Sequence, residues 1–540
     1  MKSNPLRMPA FALLLCLCTL APAQPASQSL YNSLEKLSRS LVLINGSYVD
    51  TVSNKKLVDN AINAFVTTLD PHSAYIPAEQ VEEVNEALDG SFEGVGIEFA
   101  IINDTLTIQN VISGGPSEAV GLNIGDKLLS VNGENIAGVS ITNDGVRKRL
   151  RGPKGSTVMM TVLRPGVKGL LEFKVVRGKI PLTSVDAAYL TDDNIFYFKL
   201  GRFAAQSMQE FEKAYNECCA AGEPDGIILD LRGNGGGFLT TALLLANTFL
   251  EEGQTILYTE GRHMRPQYER ANGRGFYKKK PLVILVDENS ASASEIVSGA
   301  MQDWDRAVII GRRTFGKGLV QRQYTLSDGS QLRLTVARYH TPCGRVIQTP
   351  YREGERDEYY HKMIDRWNSG EFFNADSLKF PDSLRFETAI QHRPVYGGGG
   401  ITPDIFIPGD TTAVTPYLSS MIRQGILQEF VNVWCDAHRK ELKSKCHEFD
   451  TFLTYYNKKL NDSVFDELVE YAGKRGLERN EEQIATSRAL LQTRLKGLIA
   501  RSMFSMTEYY RVCNSECDPE FEKAVEVITH WPSSLPSLFR

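Results

Sequence analysis

The strongest constraint on the fold is a set of short apolar runs that end in glycine or serine. Residues 226–231 read Gly-Ile-Ile-Leu-Asp-Leu and lead through Arg232-Gly233-Asn234 into Gly235, Gly236 and Gly237. Residues 281–286 read Pro-Leu-Val-Ile-Leu-Val and lead through Asp287-Glu288-Asn289 into Ser290, Ser292 and Ser294, each serine separated by an alanine. Residues 307–310 form a third such run. Apolar runs of this length without polar alternation are strands buried on both faces. The intervening stretches 240–250 and 292–302 have the composition of helices. Strand–helix alternation of this kind argues for an α/β core. A β-hairpin follows over 319–339, turning at Asp328-Gly329-Ser330.

The flanks differ in character. Residues 27–87 read helical: Leu30, Leu34, Leu37, Leu41 and Ile44 share one face, and a second helix over 54–69 stops at Asp70-Pro71. Residues 92–177 break into short β segments separated by glycines, a small β-rich unit. Residues 351–385 form a charged, aromatic-rich insert, and the chain beyond 410 reads almost wholly helical. With 540 residues, several domains are expected. The boundaries fall at 1–23, 24–90, 91–178, 179–410 and 411–540. A hydrophobic content of 42% against 23% charged excludes an intrinsically disordered chain. No basic stripe points to nucleic acid.

The first 23 residues read as a cleavable signal peptide. Lys2 and Arg7 precede an apolar run from Met8 to Leu20, and Ala21-Pro22-Ala23 fits the small-x-small cleavage rule. The expected location is therefore outside the cytoplasm, in the periplasm or at the cell envelope. Loss of Lys2 and Arg7 takes the net charge from −5 to −7. Cys16 and Cys18 leave with this segment. Of the seven cysteines that remain, Cys435 with Cys446 and Cys513 with Cys517 are the pairs an oxidising compartment would allow, although spacing alone fixes no pairing. Cys218 and Cys219 read as core packing. His438 and His447 near Cys435 and Cys446 match no standard zinc spacing.

Three constellations carry chemistry. Ser290, Ser292 and Ser294 sit where a buried strand turns into a helix, so free N–H groups and the helix dipole are at hand for a developing oxyanion. Helix capping explains the same residues. Lys317 lies between Gly316 and Gly318; burial there would disfavour its ammonium form, whereas a surface loop would leave it an ordinary charge. Work as a base near neutral pH requires a fall of roughly 3 units from ~10.4, about 4 kcal/mol. Gln321, two strand periods on, shares a face with Lys317 and can orient its amine. The Gly235–Gly237 run suits a close backbone approach, as an oxyanion hole or a plain turn; the lysine and hydroxyl that a phosphate loop needs do not follow.

The strings LDLRGNGGG, NSASASE and TFGKGLVQ, in that order, resemble the signature of the C-terminal processing peptidases, or tail-specific proteases. LDPHSAY at 69–75, TPCGRVIQ at 341–348 and RPVYGGGGITPD at 393–404 extend the resemblance, which covers residues 30–408. Cys343 stands where that family commonly has serine. The resemblance implies a multidomain fold: a crotonase/ClpP-like α/β protease core with an inserted-type PDZ domain, an N-terminal helical segment and a C-terminal helical extension. It implies Ser292 as nucleophile, Lys317 as general base, Gln321 as its positioner, and Gly236 with Ala293 as the oxyanion hole. It implies an acyl-enzyme and no metal or organic cofactor. Gly94-Val95-Gly96-Ile97 would be the PDZ carboxylate-binding loop, capturing substrate tails as an added strand. His72 reads as structural. The expected partners are proteins with accessible C-terminal tails, an adaptor or regulatory lipoprotein, and a second copy of the chain. The alternative is a non-catalytic PDZ scaffold on the same fold. A chymotrypsin-like triad, a Gly-x-Ser-x-Gly elbow and a His-Glu-x-x-His zinc site are all missing from the sequence.

Overall fold

The computed structural model describes residues 28–112 and 114–531, in two compact units divided along the chain between Phe65 and Val66. Residues 1–23, which read as a signal peptide from sequence, lie outside the described residues. The smaller unit contains the helix Gln28–Ser47 and most of the helix Asn54–Leu69. Helix does not continue to residue 87. Asp70 and Pro71 break it, and Ala74–Ile76 becomes a strand paired antiparallel with Gln331–Arg333. Helix resumes with a 3-10 turn at Ala78–Gln80 and the α-helix Val81–Asp89.

Within the larger unit the β-rich segment forms a five-strand antiparallel path. Ile97–Ile102 lies at one edge and pairs with Thr105–Val111, followed by Lys127–Val131, Thr157–Leu163 and Leu171–Val176. Leu106, Ile108, Leu128, Met160 and Val162 are its sealed core. The unit is less purely β than its sequence reads. The helix Asn143–Leu150 packs Val146 and Leu150 into that core, with the Thr142 hydroxyl accepting a hydrogen bond from the Gly145 N–H as the N-cap.

The α/β core is built on a six-stranded sheet. Ile195–Leu200, Gly226–Asp230, Leu282–Val286, Val308–Gly311 and Ile405–Phe406 run parallel, and Val185–Leu190 adds an antiparallel edge. Side chains alternate between two buried layers. Phe196, Phe198, Ile227, Leu229 and Ile284 pack on helices Leu239–Phe249 and Ala293–Asp303. Tyr197, Ile228, Val283 and Leu285 pack on Ala524, Val527 and Ile528 of the C-terminal helix Pro519–Thr529. The hairpin Leu319–Thr325/Gln331–His340 belongs to a second sheet. That sheet also holds a hairpin, Thr255–Gly261/Met264–Arg270, that the sequence reading missed. Residues 356–368 of the charged insert form a helix. The chain beyond 415 is helical and has its own core around Phe430, Trp434, Phe452, Phe465 and Leu495. All seven described cysteines are unpaired. The Cys435–Cys446 and Cys513–Cys517 bridges are not formed.

Candidate active site

Parallel strands end where their helices begin, so the glycine run and the serine run meet at the same edge of the sheet. Of the three serines, two are structural. The Ser290 hydroxyl is buried and donates to the Leu231 carbonyl at 2.8 Å; the Ser294 hydroxyl is buried and donates to the Asn234 carbonyl at 2.8 Å. Ser292 is the one that faces a cleft of about 510 Å³, together with Gly235–Gly237, Lys317, Gln321 and Tyr339. It precedes the first residue of the Ala293–Asp303 helix with φ 56° and ψ −109°, a conformation L-residues seldom adopt. Such strain is worth roughly 1–3 kcal/mol and persists only where the surroundings fix it.

Glu295 does much of the fixing. Its carboxylate is fully buried and accepts hydrogen bonds from the Ser292 N–H (2.8 Å), the Lys317 N–H (2.8 Å), the Gly316 N–H (2.7 Å) and the Thr314 hydroxyl (2.6 Å). Burial pushes its pKa up, and these four donors pull it back. The buried Tyr339 hydroxyl donates to the carbonyls of Ser292 (3.2 Å) and Lys317 (2.8 Å), a second bridge between the two segments.

Lys317 Nζ donates to Gln321 Oε1 at 3.3 Å, and Gln321 Nε2 donates to the His72 carbonyl at 2.5 Å. Burial lowers the lysine pKa, and the charge of Arg333 lowers it further, against Glu295 and Asp70. Among the described residues no hydrogen bond joins Ser292 Oγ to Lys317 Nζ. Catalytic contacts in ligand-free enzymes commonly tighten only when substrate arrives.

His72 reads as structural from sequence, and its contacts show what it supports. Its carbonyl anchors Gln321, its Nε2 lies 3.1 Å from the Tyr359 hydroxyl, and its N–H donates to Asp70 Oδ1. Burial, then the neighbouring Lys317 charge, lowers its pKa from 6.5 to about 4, so the ring is neutral at pH 7.

The glycine loop lies directly against the Ser292 segment. A Cβ on Gly236 would stand 3.0 Å from the Ala293 nitrogen, and one on Gly237 would stand 2.1 Å from the Phe203 carbonyl oxygen. The Gly236 N–H donates to Asn234 Oδ1 at 2.8 Å. Among the described residues, the N–H groups of Gly237 and Ala293 have no acceptor. The Gly94–Ile97 segment lines a separate groove of about 140 Å³ between the Ile97–Ile102 edge strand and the helix Asn143–Leu150, with Phe92, Phe99 and Arg151.

The sequence profile of Peptidase family S41 matches residues 194–353, and that of the PDZ domain matches 85–163. Residues 19–80 match the N-terminal domain of the activating protease CtpB, and residues 417–505 match a family of unknown function, DUF8443. The carboxy-terminal-processing protease of Bartonella bacilliformis is 35% identical over 326 residues, 59% of this chain and 74% of that protein. The chain belongs to the carboxy-terminal processing proteases. It is a serine-type peptidase with a PDZ domain. Another member, carboxy-terminal processing protease CtpB of Bacillus subtilis, is 32% identical over 351 residues, 64% of this chain and 72% of that one. Among solved structures, the photosystem II D1 C-terminal processing protease is 28% identical, with a TM-score of 0.35, over 58% of this chain and 84% of that chain. For a member of this family, Glu295, Tyr339 and the His72 carbonyl are the site residues that sequence reasoning passed over. One signal was present: a serine at the N-cap followed three residues later by glutamate is the capping-box pattern.

Proposed function

We propose that this carboxy-terminal processing protease works through Ser292 and Lys317. The observation that carries the reading is the shared scaffold: one buried carboxylate, Glu295, holds the backbone of both residues at the mouth of one cleft. The alternative of a non-catalytic PDZ scaffold gives no account of a strained serine facing a lysine whose pKa is depressed. Neutral Lys317 takes the Ser292 proton as Oγ bonds to the scissile carbonyl carbon. The oxyanion that forms is held by the Ala293 N–H and an amide of the glycine loop. The Gly237 N–H is free for that role. The Gly236 N–H joins only by exchanging Asn234 for the oxyanion. Collapse breaks the C–N bond, and the Lys317 ammonium returns its proton to the leaving amine. A water deprotonated by Lys317 then hydrolyses the acyl-enzyme. Gln321 orients the amine throughout.

In this reading the groove at Gly94, Val95, Gly96 and Ile97 takes the substrate's C-terminal tail as an added edge strand. The substrates are exported proteins with accessible tails, and the enzyme acts in the periplasm or at the cell envelope, after removal of residues 1–23. An adaptor lipoprotein and self-association fit the same reading; the exposed Leu30, Leu34 and Leu37 of the N-terminal helix support the latter. The test compares exported proteomes of cells carrying wild type, Ser292→Ala or Lys317→Ala and maps protein C-termini. Both variants should leave the same set of tails unprocessed. Wild-type processing by either variant overturns the dyad.

A further inference from the structure

Among the described residues, one cation in the active-site cleft has no hydrogen-bond or ion-pair partner. Arg333 lies on the strand Gln331–His340, directly opposite Gln323 and one pleat from the Gln321–Thr335 pair. Gln321, Gln323 and Arg333 therefore share a face of the hairpin, and all three line the cleft with Ser292 and Lys317. The Arg333 Nη2 is buried without a hydrogen-bond acceptor, and no ion pair among the described residues involves Arg333. Other arginines of this unit behave differently. Arg306, also part-buried, satisfies its guanidinium on the Phe249 and Tyr277 carbonyls. Arg232, Arg312, Arg313, Arg345, Arg366 and Arg393 each hold a carboxylate. Asp70 is nearby but already spent: it accepts from the N–H groups of His72 and Ser73 and from the hydroxyls of Ser73 and Thr335.

A guanidinium cannot shed its proton to escape burial, so a half-buried, unpaired arginine holds an unmet demand for an anion. The cleft is where a peptide must lie to reach Ser292. We propose that Arg333 is a specificity-determining residue that receives a carboxylate of the substrate peptide in the cleft. That carboxylate is either an Asp or Glu side chain beside the scissile bond or the free C-terminus of a short leaving fragment. The planar fork of arginine matches a carboxylate in bidentate geometry. Docking it there has a second effect. The groups facing Lys317 are Arg333 from the hairpin, Glu295 from the serine helix, and Asp70 with neutral His72 from the Asp70–Ser73 turn. Neutralising Arg333 removes the like charge among these, so the amine that accepts the serine proton becomes more basic once substrate is in place.

This proposal rests on the Ser292–Lys317 reading, and its test keeps the two apart. The full-length enzyme digests unfolded β-casein, and the best-cleaved site is copied as matched peptides. One arm replaces each Asp or Glu flanking the scissile bond by Asn or Gln; the other compares a free C-terminal acid with its amide. Wild type is expected to favour the carboxylate form in one arm by tenfold or more in kcat/KM, about 1.4 kcal/mol. Arg333→Gln should shrink that ratio below about twofold, and Arg333→Lys should retain an intermediate one. Dissociation constants for the same peptides, measured on Ser292→Ala with and without Arg333→Gln, should show the same loss of preference without turnover. Equal cleavage of charged and neutral forms by wild type in both arms, or a wild-type ratio in Arg333→Gln, overturns the proposal. A Ser292→Ala protein that cleaves at the wild-type rate would instead overturn the dyad and leave the carboxylate preference standing.

Discussion

Replacing Glu295 with glutamine probes the buried carboxylate that ties the two proposed catalytic segments together. All four of its partners donate, three backbone N–H groups and one hydroxyl. A glutamine oxygen can keep two of them, but the amide NH2 must face the other two. The least costly arrangement points the NH2 at Thr314, whose hydroxyl can turn to accept, and leaves the Gly316 N–H without a partner. An orphaned buried N–H costs about 1–3 kcal/mol, and the two N–H bonds kept by Ser292 and Lys317 weaken by about 1 kcal/mol each as their acceptor loses its charge. Relief of the buried charge offsets part of this, which leaves a net loss of about 2–4 kcal/mol. For a domain of this size the thermal transition should fall by on the order of 10 °C.

The same substitution has an electrostatic signature. The Glu295 charge raises the Lys317 pKa, so its removal should move the acid limb of the pH–rate profile to lower pH, even as the rate drops with the loosened geometry. Calorimetry reads the first effect. The rate of labelling by a fluorophosphonate, measured across pH, reads the second. A Glu295→Gln enzyme with an unchanged melting transition and an unmoved acid limb would refute the shared-scaffold argument.

Gly237→Ala should abolish activity and lower stability, since φ is 149° and the new Cβ would meet the Phe203 carbonyl at 2.1 Å; wild-type turnover would show that the loop is not the oxyanion element. Asp518→Ala removes two hydrogen bonds from Arg232, at 2.7 and 2.8 Å, while Asp230 and Glu520 still hold the guanidinium, so the loss should be about 1–3 kcal/mol by denaturant titration; an unchanged midpoint would show that this contact adds nothing to stability. His72 is held at about 4 in the fold, whereas the unfolded chain takes up its proton below 6.5. The stability it contributes is therefore complete above pH 6.5 and is lost as pH falls towards 4. His72→Gln should flatten the stability–pH curve in that window, and an unaltered slope would refute the linkage.

What was legible in the sequence was whatever is encoded locally. The strand runs at 226–230 and 282–286 announce themselves by unbroken apolar composition, and the hairpin after Lys317 by Asp328-Gly329 at its tip. The helix Asn143–Leu150 was hidden because only Val146 and Leu150 face the core, among Asp144, Arg147, Lys148 and Arg149. The hairpin Thr255–Arg270 was hidden for the opposite reason: its second strand is largely exposed and carries Arg265, Glu269 and Arg270. Of the proposed site, Ser292, Lys317 and Gln321 stood out only through the order of three short strings. The parts that hold them come from far away in the chain. The His72 carbonyl reaches Gln321 from 249 residues upstream, and Asp518 reaches Arg232 from 286 residues downstream. No periodicity or spacing encodes such contacts.

The C-terminal extension shows what that blindness conceals. A sheet of parallel strands needs cover on both faces, because its side chains alternate and both sets are apolar. Helices Leu239–Phe249 and Ala293–Asp303 cover one face of this sheet. From sequence, the chain beyond 410 lies outside the protease and its role stays open. In the fold, its last helix packs Ala524, Val527 and Ile528 on Ile228, Val283 and Leu285, so closely that a Cβ on Gly226 would stand 2.4 Å from Ile528. The acidic start of that helix reaches the same layer. Asp518 and Glu520 hold Arg232, and Glu520 also holds Arg312. Arg232 sits at the head of the turn that carries Gly235–Gly237, and Arg312 lies five residues before Lys317. The tail thus completes the second face of the catalytic sheet and clamps the roots of two loops that form the cleft, which makes it a working part of the protease and not an appendage to it.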